Sequence, residues 1–235
     1  MAKSYFISDL HLFCKRSYGE RYWDELTAVA TAADTIVLGG DIFDFPWTDR
    51  ISVERSVEEA TLCLAQLCDT APNCQFHYLL GNHDFHQSFI DQLGNLSSDH
   101  ENFAWQPFHL RLRNTVFLHG DVADGHSTPA ELEHSRSRWK QATKKGPTMN
   151  LMYDLVVRAN VHRAVCSVLY RNRRVTRNIL TYLESIYAGP STGVEQVYFG
   201  HTHIPISHFR SGGVTFHNGG APIHGLEFQF LEMVI

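Results

Sequence analysis

Five short blocks of this 235-residue chain carry side chains able to hold metal ions: Asp9-Leu10-His11, Gly40-Asp41, Gly81-Asn82-His83-Asp84, His119-Gly120-Asp121 and Gly200-His201-Thr202-His203. Taken singly, Asp9-x-His11 or His201-x-His203 is a weak signal, because alternate residues of any extended segment point the same way. Together the blocks offer two carboxylates (Asp9, Asp41), one amide oxygen (Asn82) and four imidazoles (His11, His119, His201, His203), with no thiolate. Such oxygen and nitrogen donors suit hard or borderline divalent ions, Mn first, with Fe, Zn and Co as alternatives. The set exceeds the roughly three protein ligands of a mononuclear catalytic zinc. It matches two ions sharing one bridging carboxylate. Two divalent ions offset by two Asp carboxylates leave about +2, a charge suited to phosphate oxygens. Ions about 3.5–4 Å apart can also hold a bridging hydroxide as nucleophile and stabilise the attacking and leaving oxygens of an in-line displacement. Phosphoester hydrolysis is the expected reaction, and carbonyl hydrolysis on a two-metal site is its physical competitor.

Each block must be positioned by the apolar run before it. Residues 5–8, 35–38, 76–80, 115–118 and 197–199 are short, apolar and abruptly ended by Gly, Asp, Asn or His, which predicts buried strands. In open α/β sheets the C-terminal strand edge is where ligands bind, because loops converge there and helix N-termini supply positive potential. Helical spacing at residues 23–33 and 53–68 predicts βαβ units with right-handed crossovers in the N-terminal half. Residues 206–209, 214–217 and 226–234, separated by Ser211-Gly212-Gly213 and Asn218-Gly219-Gly220, predict antiparallel strands instead.

These blocks, in this order, resemble the signature of calcineurin-like metallophosphoesterases. The resemblance implies a four-layer α/β/β/α sandwich in one domain over residues 1–235, with a helical insertion at 127–190. It implies that Asp9, His11, Asp41 and His203 hold one ion and that Asp41, Asn82, His119 and His201 hold the other. His83 matches the family's non-ligand histidine, which protonates the leaving oxygen, and Asp84 is then expected to orient it. Within the family, the long gap between His119-Gly120-Asp121 and Gly200-His201 is similar to that of UDP-2,3-diacylglucosamine hydrolases, whose inserted helices grip acyl chains. This chain carries His83 where that subfamily carries Arg. The implied activity is hydrolysis of a lipid-linked nucleotide pyrophosphate. The alternatives are a general phosphomonoesterase or phosphodiesterase acting on a soluble nucleotide or phosphoprotein, and a non-catalytic binding scaffold of the same fold. Retention of all seven donors and His83 favours an enzyme.

The insertion has its own physical reading. Residues 135–182 hold eleven of the 20 basic residues and a single acid, Asp154, so a basic block sits inside an acidic body. Such a block focuses anionic ligands or membrane surfaces. Residues 149–170 place Leu151, Met152, Leu155, Val156, Ala159, Val165, Val168 and Leu169 at helical spacing. The stripe is expected to pack on the body, and any exposed part would suit an acyl chain, a membrane surface or a partner subunit. Arg158, Arg163 and Arg174 are candidate substrate contacts, and Arg171, Arg173 and Arg177 could also meet phosphates. Residues 127–150, with Gly146-Pro147, read as a flap.

Composition bounds the rest. A net charge of -5, 43% hydrophobic residues and five cysteines (14, 63, 68, 74, 166) without a C-x-x-C pair predict a globular domain with reduced thiols, not a disulfide scaffold or zinc ribbon. Residues 1–9 run straight into an alternating strand, so a cytoplasmic location is expected, peripheral on the inner membrane if the basic insertion touches lipid. Nucleic acid is disfavoured by the acidic body, and no oligomeric state is implied. Asp44, Asp121 and Asp124 are read either as partners of ligand imidazoles or as turn caps, and His217 and Asn218 as supports behind the ligands. Phe13, Trp23, Phe43, Phe45 and Trp47 are read as aromatic core.

Overall fold

The computed structural model describes residues 3–233. In chain order they form β1 (Ser4–Ile7), α1 (Gly19–Ala30), β2 (Thr35–Leu38), α2 (Val53–Thr70), β3 (Gln75–Leu79) and α3 (Gln87–Asp99). Next come β4 (Phe103–Gln106), β5 (His109–Leu112), β6 (Thr115–Leu118), α4 (Pro129–Ser137), α5 (Pro147–Arg158), α6 (Val161–Leu169) and α7 (Asn172–Ser185). The chain closes with β7 (Gln196–Phe199), β8 (Ile206–Ser211), β9 (Val214–Asn218) and β10 (Leu231–Met233).

The strands sort into two five-stranded sheets, ordered β10-β1-β2-β3-β4 and β5-β6-β7-β9-β8. Period-two alternation builds the layers. In the first sheet Phe6, Val37 and Leu79 meet Phe117 and Tyr198 of the second, forming the seam between the sheets. Their neighbours Ile7, Ile36, Leu38, Phe76 and Tyr78 face the opposite way, onto the helices of the N-terminal half. In the second sheet Val116, Leu118, Val197 and Phe199 turn outward onto Leu132 of α4 and onto α7. The result is the expected α/β/β/α sandwich. Helix α2 shows how locally it is written: Ser52 accepts a capping hydrogen bond from Arg55 N, and Val53, Val57, Ala60, Leu64 and Leu67 form one buried stripe.

Within each sheet the site-bearing strands run parallel: β1, β2 and β3 in the first, β6 and β7 in the second. All five apolar runs are therefore strands. The expected β8–β9 hairpin also forms. The tail departs from expectation in one respect. Only residues 231–233 of the last run form a strand, and it crosses to the first sheet to pair antiparallel with β1. Helix α3 and strands β4 and β5 were not foreseen, because their segments mix polar and apolar residues and β5 is only partly buried.

The insertion also corrects two expectations. The apolar stripe of α5 and α6 does not pack on the body: Leu151, Met152, Leu155 and Val168 are 61, 65, 59 and 65% exposed. Only Val157 of these two helices is buried, against Ala221 and Ile223. The 127–150 segment is anchored, not merely a flap. Arg136 of α4 is 1% exposed, donates from Nε and Nη2 to both oxygens of Asp121 at 2.7 Å each, and donates to Pro107 O at 2.6 Å. Its guanidinium lies 5.4 and 5.5 Å from the Phe85 and Phe108 rings. Burial pushes the Asp121 carboxyl up, but the Arg136 charge outweighs it and holds the group at about 2.

Arg136→Met would leave Asp121 as a buried carboxylate without its cation, at a cost of about 3–5 kcal/mol. Urea unfolding followed by tryptophan fluorescence should show the midpoint fall. Because the folded pKa of Asp121 lies below that of a free Asp at about 3.9, the pair's contribution is complete above about pH 4. It is lost as the pH falls toward 2, so the gap between variant and wild type should narrow over that window.

Candidate metal centre

The loops after β1, β2, β3, β6 and β7 converge at one edge of the sandwich. Asp9 N donates to Gly40 O and His11 N to Asp41 O, both at 3.0 Å, which extends the β1–β2 pairing into the loops. Across the sheets, His201 N donates to both Asp9 oxygens at 2.8 and 3.1 Å; within the second sheet, Gly200 N donates to His119 O at 2.6 Å and extends the β6–β7 pairing. Asp9, His11, Asp41, His201 and His203 all have positive φ, between 46° and 64°. Asp and His enter this left-handed region more readily than most residues, but each such residue still costs on the order of 1–3 kcal/mol. The glycines beside them are set by close approach. A Cβ at Gly81 would overlap Asp41 Oδ1, and one at Gly200 would overlap Asp9 Oδ2.

Two clusters result. In the first, His11 Nε2 and His203 Nε2 face each other at 3.1 Å, and Asp9 Oδ1 lies 3.5 Å from His203 Nε2. In the second, Asn82 Oδ1 lies 3.2 Å from His119 Nε2 and 3.1 Å from His201 Nδ1, with Asp41 Oδ2 3.3 Å from His119 Nε2. Ligand atoms of Asp9, His11 and His203 come within 4.8 Å of one another, as do those of Asp41, His119 and His201 and those of His11, Asp41 and His83. All seven sequence-expected donors are thus brought together, with Asp41 between the groups.

Three of the four candidate ligand imidazoles have a polar neighbour at the outer nitrogen, and the contacts of His119 and His201 fix which of their nitrogens faces inward. His119 Nδ1 meets Gly39 O at 3.1 Å, His201 Nε2 meets Asp124 Oδ2 at 3.2 Å, and His11 Nδ1 meets Asp44 Oδ2 at 3.4 Å. Asp44 Oδ1 also holds His83 Nδ1 at 2.9 Å and accepts from Trp47 N at 3.2 Å. Asp44 is therefore both the turn cap and the imidazole partner that the sequence left as alternatives. Asp124 is an imidazole partner, through His201 Nε2, whereas Asp121 pairs with Arg136. Asn218 Nδ2 donates to Gly200 O and Thr202 Oγ1 and supports the last ligand loop. His217 instead bonds Gln196 and stacks on Tyr198.

Asp84 corrects the expected dyad. It does not touch His83. It accepts from Tyr78 Oη (2.6 Å), Gly81 N (2.7 Å) and Ile42 N (3.2 Å), tying the Gly81–His83 turn to the end of β2. Burial and the nearby Asp41 charge push its carboxyl up to about 6. His83 is held by Asp44 from one side and stacked by Trp139, whose ring lies 5.5 Å away at 24°. Trp139 and Tyr170, which donates to Asp124 Oδ1 at 2.9 Å, come from the insertion, where no spacing in the sequence marks them.

The electrostatics of the cluster call for cations. Asp9, Asp41 and Asp44 are at most 2% exposed, and among the described residues their ion-pair partners are imidazoles, with no Lys or Arg in a direct pair with them. Buried carboxylates in such numbers need fixed positive charge or metal. Burial disfavours a charged His119, yet the Asp41 charge and hydrogen bond raise it to about 10. Burial likewise opposes charge on His83, but Asp44 and Asp41 hold it at about 9. Burial pushes Asp9 up, and the His203 hydrogen bond and His119 charge more than offset it.

The model of calcineurin-like phosphoesterases matches residues 2–205. The chain belongs to this family. It is a metal-dependent phosphoesterase, and the paired donor clusters are what a dimetal hydrolase requires. The UDP-2,3-diacylglucosamine hydrolase of Nitrosococcus oceani is 28% identical over 221 residues, covering 89% of this chain and 82% of its own. Among solved structures, a phosphoesterase from E. coli aligns with TM-score 0.44 and 16% identity over 99% of this chain and 88% of its own. A dimetal phosphatase from Danio rerio aligns with TM-score 0.47 and 12% identity over 95% and 88%.

A proton on His119 must leave when its Nε2 takes a cation, so manganese binding should release about one proton or more near pH 8 and tighten as the pH rises toward 10. Titration calorimetry in buffers of different ionisation enthalpy measures this release. Heats that do not depend on the buffer would contradict it.

Proposed function

We propose that this phosphoesterase cleaves a phosphate ester or pyrophosphate bond in a lipid-linked nucleotide of the UDP-2,3-diacylglucosamine type. The reading assigns Asp9, His11, Asp41 and His203 to one divalent ion and Asp41, Asn82, His119 and His201 to the other, with manganese as the preferred metal. When bound, such ions supply Lewis-acid charge for phosphate oxygens and lower the pKa of water. The protein's own part is positioning and proton transfer. Asp44 holds His83 Nδ1, leaving Nε2 as the atom that delivers a proton to the leaving oxygen. The charges of Asp44 and Asp41 keep that proton in place at neutral pH despite burial.

The observation that carries the substrate assignment is the exposed apolar face of α5 and α6 next to a cavity that reaches the centre. That cavity, about 500 Å³, is lined by His203, Ile204, Pro205 and Leu226 from the body and by Arg163 and Ser167 from α6. An acyl chain lying on the helices would remove from water side chains such as Met152, Leu155 and Val168. Arg163 is then the substrate-side arginine. Arg158 and Arg174 are exposed, and the Arg174 charge acts on the Tyr170 hydroxyl that meets Asp124. Among the described residues no helix is long and apolar enough to cross a membrane. The reading therefore places the chain at the cytoplasmic face of the inner membrane, in peripheral contact through the insertion. A second reading, general hydrolysis of a soluble phosphate ester, is favoured by His83, since a proton donor serves many leaving groups. A scaffold role is disfavoured by the complete donor set.

Asp41→Ala should abolish hydrolysis and lower bound manganese. His83→Ala should reduce kcat by roughly 10²–10⁴ with metal content unchanged. Full turnover in both variants would refute the catalytic assignment. For the substrate, manganese-loaded protein should prefer UDP-2,3-diacylglucosamine in detergent over p-nitrophenyl phosphate and its diester. Preference for the soluble esters, unaffected by polar substitutions at Met152, Leu155 and Val168, would select the second reading.

A further inference from the structure

A second cleft lies between the loop that follows His11 and the start of α5. It encloses about 470 Å³ and is lined by Lys15, Arg16, Trp47, Lys144, Lys145 and Leu151, among others. Its walls are fixed. Arg16 pairs with Asp154 at 2.7 Å, donates to Asn150 O and Oδ1 at 2.8 and 2.7 Å, and lies over the Tyr153 and Trp47 rings at 4.4 and 5.2 Å. Lys145 N donates to Pro46 O at 2.8 Å, and Lys144 Nζ donates to Arg50 O.

The charge in this cleft is not balanced from within. Its two carboxylates are already engaged, Asp154 by Arg16 and Asp49 by Arg50. The ammonium groups of Lys15 and Lys145 have no carboxylate or hydrogen-bond partner among the described residues. The cleft is also connected to the chemistry. Trp47 N donates to Asp44 Oδ1, the oxygen that holds His83, so the basic cleft stands one residue behind the proton donor.

We propose that this cleft seats the leaving arm of the substrate, and that the arm carries its own phosphate. The centre would then act on pyrophosphate diesters gripped at both ends, one arm along α6 and Arg163 and the other between Lys15 and Lys145. This deepens the functional reading above and rests on it. The ligand chemistry is a phosphate monoester borne on an organic group. The aromatic and apolar wall of Trp47 and Leu151 suits a nucleotide, and a glycerophospholipid headgroup offers the same phosphate.

Equilibrium dialysis of radiolabelled uridine 5′-monophosphate, with manganese present, tests the assignment. The wild type and Asp41→Ala, which lacks the metal centre, should both retain the nucleotide. Lys15→Glu/Lys145→Glu should bind it roughly tenfold or more weakly, and Lys15→Arg/Lys145→Arg should restore binding. Retention that disappears in Asp41→Ala but survives lysine reversal would place the nucleotide on the metals alone and overturn the proposal. A parallel series with sn-glycerol 3-phosphate separates the sources: tighter binding than the nucleotide assigns the arm to a lipid headgroup, and weaker binding to a nucleotide. Hydrolysis of p-nitrophenyl phosphate by the wild type is scored separately. Lysine-dependent binding without any hydrolysis keeps the cleft and removes the phosphoesterase reading, while hydrolysis without lysine-dependent binding does the reverse.

Discussion

The structure is organised around a shortage of fixed positive charge. Asp9, Asp41 and Asp44 lie buried at a sheet edge, and among the described residues their ion-pair partners are imidazoles. Nothing in the hydrophobic seam requires this. Carboxylates in such surroundings are tolerated when a cation completes them. Five residues of the cluster sit in left-handed backbone, and two glycines give up their side chains to let carboxylates pass. Strain of this kind persists only where the surrounding fold over-determines it. Here that role belongs to the parallel strands and the hydrogen bonds that continue their pairing into the ligand loops.

The sheet-and-ligand half of the molecule was readable because its signals are local. An apolar run that stops at Asp41, Asn82 or His119 announces both a strand and what its end presents. The candidate donors followed from residue type and position, and their division between two ions from the family resemblance. What failed was anything dependent on which neighbour fills a gap in three dimensions. Asp84 is adjacent to His83 in sequence, yet the histidine is gripped by Asp44, some forty residues earlier. The spacing Gly40-Asp41-x-x-Asp44 contained the clue, but a turn cap explains the same residue equally well, and Asp44 does cap one. The α3–β5 stretch lacked a clean period because its strands are short and only partly buried. Arg136 looked like one more member of a basic surface, and it is instead a buried clamp.

The insertion shows the limit of periodicity from the other direction. The apolar stripe was correctly assigned to helices, but a stripe does not say what it covers. In α5 and α6 it covers almost nothing, since the apolar contacts of these helices with the body run mainly through Val157 and Tyr153. Leaving so many large aliphatic side chains in water is unusual for a monomer unless the patch meets something. The insertion nonetheless reaches the reactive edge at three points, through Trp139 on His83, Tyr170 on Asp124 and Arg163 beside His203. Trp139 and Tyr170, in the connections next to these helices, thus brace the His83 ring and the Asp124 carboxylate behind His201.

The bond from His201 N to Asp9 joins residues 192 positions apart, and β10 then closes beside the very strand that leads into Asp9. A polypeptide emerging from the ribosome therefore passes most of its synthesis with its first carboxylates in place and their histidine counterparts not yet made. Closing so long a loop is an entropic burden met only when both sheets exist to hold it. Hydrolytic competence should thus arrive at once and late, after β7 and β10 have both been made, so that translation interrupted before them yields fragments without a half-active centre.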